Sequence, residues 1–178
     1  MEEILKHAHA VLSSTPLRWK NMAETLPTDL LSLPPAPGEW SALECLLHLL
    51  DAERWVFPAR VRYLLAEQDF PAFNTDEDGT KPDGHISVHL LAAEFETLRQ
   101  ESLSLLVEVS PADLDKRARH QELGPVTLSE LLHEWAAHDL MHTVQAERAM
   151  MQPFIKGCGP WERYFTDHII STGRVPAG

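Results

Sequence analysis

Ser41-Ala42-Leu43-Glu44-Cys45-Leu46-Leu47-His48-Leu49-Leu50 is the stretch that decides the fold. Ser41 and Glu44 have the spacing of a capping box, in which each side chain satisfies the other's backbone N–H at a helix start. Trp40 stands just before them, where a hydrophobic staple would sit. Apolar residues then recur at Leu43, Leu46, Leu47, Leu50 and Trp55, the period of one helix face. A helix is predicted from Ser41 to about Ala66. A bend is expected where Pro58 withholds an N–H from it.

Three further helices follow from the same signals on either side. The first runs from about Glu3 to Leu26 and contains Ser13-Ser14-Thr15-Pro16. That is a second start signal, with Thr15 as N-cap and Pro16 at the first helical position, so a kink or short preceding turn is expected. Leu33-Pro34-Pro35-Ala36-Pro37-Gly38 is the break after it. The third helix spans about Ser87 to Val109, with Leu90, Leu91, Phe95, Leu98, Leu105 and Leu106 as its apolar stripe. Ser110-Pro111 ends it, and a charge-rich connection leads to Gly124-Pro125. Thr127 and Glu130 form another capping box, opening a fourth helix that reaches about Met151. The tail from Pro153, containing Gly159-Pro160-Trp161, is read as a further helical turn or two packing on the rest.

Gln68 to Gly84 is polar and turn-rich, and reads as a surface crossover loop. Asp76-Glu77-Asp78-Gly79 within it lacks the ligand spacing and closing glutamate of an EF-hand. Four long helices and no repeat define an all-α four-helix bundle in one domain, residues 1–178. The second connection is too long for a tight hairpin, which makes a crossover connection the alternative.

The totals agree with that class. Hydrophobic residues are 44% of the 178 and charged residues 24%, as in a globular chain. With 27 acidic and 15 basic side chains the net charge is −12. Such a surface repels phosphate backbones, so nucleic acid is excluded as the first partner. No apolar run approaches a membrane span. Acidic Glu2 and Glu3 stand where a signal peptide would be basic. Cys45 and Cys158 form no metal-ribbon spacing and no disulfide framework. A reducing, cytoplasmic setting is expected.

Ten histidines are many for this length. His7, His9, His85, His89, His120 and His168 lie near helix ends or in polar stretches and read as solvated or hydrogen-bonded imidazoles. The fourth helix is different: Trp135-Ala136-Ala137-His138-Asp139-Leu140-Met141-His142 puts two histidines four apart. They lie about 40° apart around the axis and about 6 Å along it, so both rings can meet one metal ion. Such pairs also occur on helices with no metal. His48, mid-helix in the most apolar part of helix two, is the third candidate. Whether the helices are staggered so that it meets the pair is open at this level.

Several related patterns fail. His133-Glu134-Trp135-Ala136-Ala137-His138 resembles a zinc-protease motif, but its second histidine is one place late and the rings diverge. In His138-Asp139-Leu140-Met141-His142 the aspartate is a methylene shorter than the protease glutamate, which leaves metalloprotease as a poor alternative. Glu130-Leu131-Leu132-His133 is one ExxH where a di-iron bundle needs two. Cys45 has no facing base and reads as a small core residue.

These residues together resemble the DinB/YfiT-like family. The resemblance is carried by Pro37-Gly38-Glu39-Trp40-Ser41 with His48-Leu49-Leu50-Asp51-Ala52-Glu53, and by Phe95, Leu98-Arg99, Leu103 and Leu105-Leu106. His120-Gln121-Glu122-Leu123-Gly124-Pro125-Val126-Thr127-Leu128, Trp135 to Gln145, and Gly159-Pro160-Trp161 continue it. It implies a four-helix bundle of up-down-down-up order, with the long crossover between helices two and three. It also implies a divalent metal on His48, His138 and His142, and often a homodimer.

Three neutral histidines with an open position suit a catalytic ion, zinc or nickel. The expected activity is metal-dependent hydrolysis, or transfer of a low-molecular-weight thiol co-substrate to a small electrophile. The alternative is a non-catalytic metal-binding or stress-related dimeric bundle. Glu134, Asp51 and Gln145 are the candidates to orient a ligand ring or move a proton. The expected partner is a small-molecule substrate, with no nucleic acid and no membrane.

Overall fold

A computed structural model describes residues 2–73, 79–81 and 87–170. Helix α1 is Glu2–Thr25 and α2 is a single turn, Thr28–Leu31. Helix α3, Ala42–Asp51, runs through a π-helical segment, Ala52–Val56, into α4, Phe57–Leu65. Helix α5 is Val88–Val107. Strands β1, Arg117–His120, and β2, Gly124–Thr127, form an antiparallel hairpin before α6, Leu128–Gly157.

Both predicted capping boxes are made. Ser41 Oγ accepts from the Glu44 N–H at 3.3 Å and the Ser41 N–H donates to Glu44 Oε2 at 2.7 Å. Thr127 and Glu130 repeat the arrangement at the start of α6. Each box meets two of the donors that a helix start leaves unpaired.

Two apolar clusters fill the bundle and fix its direction. One gathers Ala8 and Leu12 of α1, Phe57 and Val61 of α4, Leu106 of α5, and Leu128 and Trp135 of α6. The other gathers Trp19 and Ala23, Leu43 and Leu46, Leu91 and Phe95, and Ala146 and Met150. Helices one and four therefore run from the first cluster to the second, and helices two and three run the opposite way. That is the up-down-down-up order, and the segment after α4 crosses back along the bundle. Residues 74–78 and 82–86 of the expected surface loop, His85 among them, lie outside the described residues.

The start of that crossover is not a surface loop. Phe70 is buried, pairs with His120, and exchanges hydrogen bonds with Arg119 O and the Gln121 N–H. It thus lies alongside the hairpin as a third extended segment. The hairpin itself was not legible in the sequence. Its strands are four residues each, too short for a period-two pattern to stand out among charges. Gly124, at φ +81°, supplies the left-handed residue after its three-residue loop.

Three prolines sit in the helices differently from expectation. A helical proline leaves the carbonyl four residues earlier without its donor, and helices tolerate this where another donor arrives. Pro16 sits inside an unbroken α1. Thr15 is no N-cap there; its hydroxyl donates back to Val11 O at 3.0 Å. The carbonyl that Pro16 leaves free, Leu12 O, accepts from Arg99 Nη1 at 3.0 Å. Before Pro58, where the sequence predicts a bend, the chain adopts the π-helical segment. Pro153 lies inside α6, which continues to Gly157 and does not stop at Met151. Gln152 then receives the chain beyond: its side chain bonds His168 O at 2.9 Å and the Ile170 N–H at 3.0 Å. Among the described residues no helix is long and apolar enough to cross a membrane.

Candidate metal centre

His48 projects from α3 one turn before the π-helical segment. His138 and His142 project from α6 at successive turns. The three rings meet with centroids 4.4 to 4.9 Å apart. One ligand nitrogen from each lies within 4.8 Å of the others, and His48 Nε2 stands 2.9 Å from His138 Nε2. Helices two and four are thus staggered so that the sequence-predicted triad closes.

The ring environment suits a cation. His142 Nδ1–H donates to Gln145 Oε1 at 2.9 Å, which leaves the Nε2 lone pair free. His138 Nδ1 is buried and has no hydrogen-bond partner among the described residues. Burial, then the neighbouring His142 imidazole, pushes His48 down to about 4, with Asp51 opposing. The same causes, with His48, Arg99 and Arg60 added, take His138 down to about 2. Burial also lowers His142, against Gln145 and Asp139. All three are therefore neutral near pH 7, the form that ligates. A Zn²⁺–N bond of about 2.0–2.1 Å brings such donors within a few ångströms of one another. Three neutral imidazoles that each turn a nitrogen to one place can offer their lone pairs together there, which fits a divalent ion.

Trp40 was legible only as a staple, yet it forms the wall of this site. Its ring is stacked on His142 at 5.8 Å and tilted against His48 at 5.1 Å. Phe57 closes the other side, its ring edge-on to His138 at 5.1 Å. Trp40 also lines a cleft of about 670 Å³ with Pro34 to Glu39, Glu44 and Lys156.

The three proposed helpers stand in different places. Gln145 is on the His142 ring, as the preceding bond shows. Replacing it with leucine is expected to weaken metal binding about 10–100-fold, the usual cost of losing a ring's outer partner. Titration calorimetry with zinc would measure it, and unchanged affinity would remove Gln145 from the site. Asp51 is buried but turned to the crossover. Its oxygens accept from Thr80 N at 2.6 Å, Thr80 Oγ1 at 2.8 Å and Arg54 Nη1 at 3.3 Å. Among the described residues it bonds no imidazole. Glu134 lies one turn before His138, half-exposed, with Oε1 3.9 Å from Arg60 Nη1. Burial holds its carboxyl above the usual range despite that cation.

Asp139 is engaged elsewhere, which removes the base on which the metalloprotease alternative relied. Its carboxylate is paired with Arg99, at 2.6 and 3.1 Å to Nη1 and Nη2. Arg99 also donates to Glu53 Oε2 at 2.9 Å, and all three side chains are buried. Nothing local in the sequence marks this triad, because Arg99 lies 40 residues from Asp139 and 46 from Glu53. Cys45 is fully buried and its thiol is pushed up to about 12 by burial, as a packing residue should be.

The depressed imidazoles carry a pH signature. In the unfolded chain they titrate near 6.5, and in the fold below it, His48 and His138 most of all. Between those values the unfolded state binds more protons, so stability present above pH 6.5 is lost as pH falls towards 4. Metal-free protein is expected to melt at lower temperature over that interval. A His138→Leu variant should show a flatter curve by circular dichroism; superimposable curves would contradict the assignment.

A crossed-over helical bundle with three histidines converging inside it defines a class of helical proteins with metal-type centres. The chain belongs to the DinB superfamily, whose model matches residues 12–146. It is similar to a Bacillus mycoides protein named "putative metal-dependent hydrolase", at 23% identity over 71% of this chain and 80% of that one. A protein of the same description from Oceanobacillus iheyensis is 21% identical, over 74% and 77%. Among solved structures it resembles YfiT from Bacillus subtilis, with a TM-score of 0.72 at 17% identity, covering 86% of this chain and 89% of the other. YfiT is described as a probable metal-dependent hydrolase with an unusual four-helix bundle topology.

Proposed function

We propose that this protein is a metal-dependent hydrolase acting on a small molecule, with His48, His138 and His142 as the ligands of one zinc or nickel ion. The observation that carries the reading is the convergence of three neutral imidazoles from two helices, one of them with a buried nitrogen that has no partner among the described residues. Three protein ligands leave a tetrahedral ion one open position, the pattern of catalytic sites. The descriptions of the relatives support hydrolysis over other chemistries. An ion bound there would acidify a water and polarise a carbonyl or similar group.

The chain's own residues supply the rest. Gln145 orients the His142 ring through its bond to Nδ1. Trp40 and Phe57 flank the rings and limit water around them. We assign the proton transfer to Glu134, supported by its raised proton affinity and its position one turn before His138.

The test is turnover of a panel of small esters, amides and electrophiles by protein loaded with zinc or nickel. Assays run with and without low-molecular-weight thiols. Metal-dependent hydrolysis that Glu134→Gln slows at constant metal content supports the reading. Turnover only with added thiol would assign a thiol S-transferase instead. A fully loaded protein inert to the whole panel would favour a non-catalytic metal protein.

A further inference from the structure

One turn along from the histidines lies a second pair of polar side chains that no reading above uses. Arg60 follows Phe57 by three residues on α4, and Phe57 packs against His138. Its guanidinium is mostly covered, 13% exposed, and lies over the Phe70 ring at 5.8 Å. His120, on β1, is buried. Its Nδ1 accepts two backbone hydrogen bonds, from Glu122 N at 3.1 Å and Leu123 N at 3.2 Å. The unprotonated nitrogen is therefore Nδ1, and the ring proton sits on Nε2. Yet Nε2 stands 3.2 Å from Arg60 Nη2, which also carries only donors.

Two N–H groups face each other there, and among the described residues no acceptor lies between them. The contact is repulsive by itself. It becomes favourable when one oxygen with negative charge accepts from both, as charge-assisted bonds are the strong ones. Arg60 has carboxylates nearby, Glu134 at 3.9 Å and Glu122 further off. They partly balance its charge without occupying the gap between the donors. They also penalise a second negative charge on any ligand, so a monoanion is favoured over a dianion.

We propose that Arg60 and His120 bind a carboxylate of the substrate, so that the molecule hydrolysed is a small carboxylic acid derivative. This rests on the hydrolase reading for its chemistry, but the anion site itself does not need the metal. The reactive group would lie at the histidines and the carboxylate at Arg60, one helical turn along α4 from the Phe57 ring that packs on His138.

The test is an NMR titration of full-length protein, metal-free and zinc-loaded, following the Arg60 Nε–H and His120 Nε2–H signals as acetate is added. Saturable shifts of both signals in the metal-free form are expected, with affinity at least tenfold weaker in Arg60→Gln. Signals that do not move, or that move equally in Arg60→Gln, overturn the proposal. Inorganic phosphate at pH 7.5, largely a dianion, should bind more weakly than acetate; tighter binding overturns the carboxylate assignment. Because the metal-free titration stands alone, a protein that binds acetate but no metal would refute the hydrolase reading and leave this site intact.

Discussion

His142→Ala is expected to abolish tight metal binding, with a loss well beyond the ~10–100-fold that follows removal of an outer partner. The variant keeps His138 and His48, but two imidazoles do not hold a divalent ion as three do. It also leaves Gln145 and the face of Trp40 without the ring they contact. His48→Ala should do the same from the other helix, and that pairing makes the prediction strict. A site made by the α6 pair alone would survive loss of His48. Metal content after dialysis, by mass spectrometry, reads the result directly. Thermal unfolding gives a second reading. A metal at a thousand times its dissociation constant stabilises the fold by about 4 kcal/mol. For a chain of this size that raises the melting temperature by about 10 °C. Wild type should show the rise on adding zinc and both variants should not. Full metal retention in His48→Ala would separate helix two from the site and remove the basis of the proposed activity.

Arg99→Ala should be the most destabilising single change, by about 3–5 kcal/mol, since it leaves Glu53 and Asp139 as unpaired charges in the core. At this chain length the melting temperature would fall by about 10 °C. The damage reaches all four helices. Arg99 is on α5, Leu12 O on α1, Glu53 in the π-helical segment and Asp139 on α6. It also lies over the rings of Phe95 and Trp135, at 4.9 and 5.4 Å. Replacing Arg99, Glu53 and Asp139 together with Met, Leu and Leu should recover most of the stability, because the penalty comes from the orphaned carboxylates. A loss in the triple variant as large as in Arg99→Ala would show that packing, not charge, is what Arg99 contributes. Asp139 follows His138 directly, so metal affinity measured in the triple variant would also tell whether the triad sets the position of that ring.

The local part of this protein was legible. Capping boxes and apolar periods act over three or four residues, so Ser41 with Glu44 and Thr127 with Glu130 mark helix starts before any fold is known. The same reach puts His138 and His142 on one face and Gln145 beside His142. The family resemblance added the crossover order and the third histidine, which spacing alone left open.

Longer-range physics decided everything else. Whether His48 meets the α6 pair depends on helix stagger, which the packing of the two apolar clusters sets. Arg99 reads in sequence as one more polar residue on a helix. Only the assembled bundle shows that it answers the carbonyl freed by Pro16 and two carboxylates from other helices. Thr15 and Pro16 looked like a helix start because the donor that lets the helix continue comes from a residue 87 positions away. His120 reads in sequence as a solvated or hydrogen-bonded ring, and only the hairpin chose the second, turning two backbone N–H groups onto it and aiming its proton at Arg60. A hydrogen-bonding group carries its own capacity in the sequence, but its partners across the chain exist only once the chain has folded.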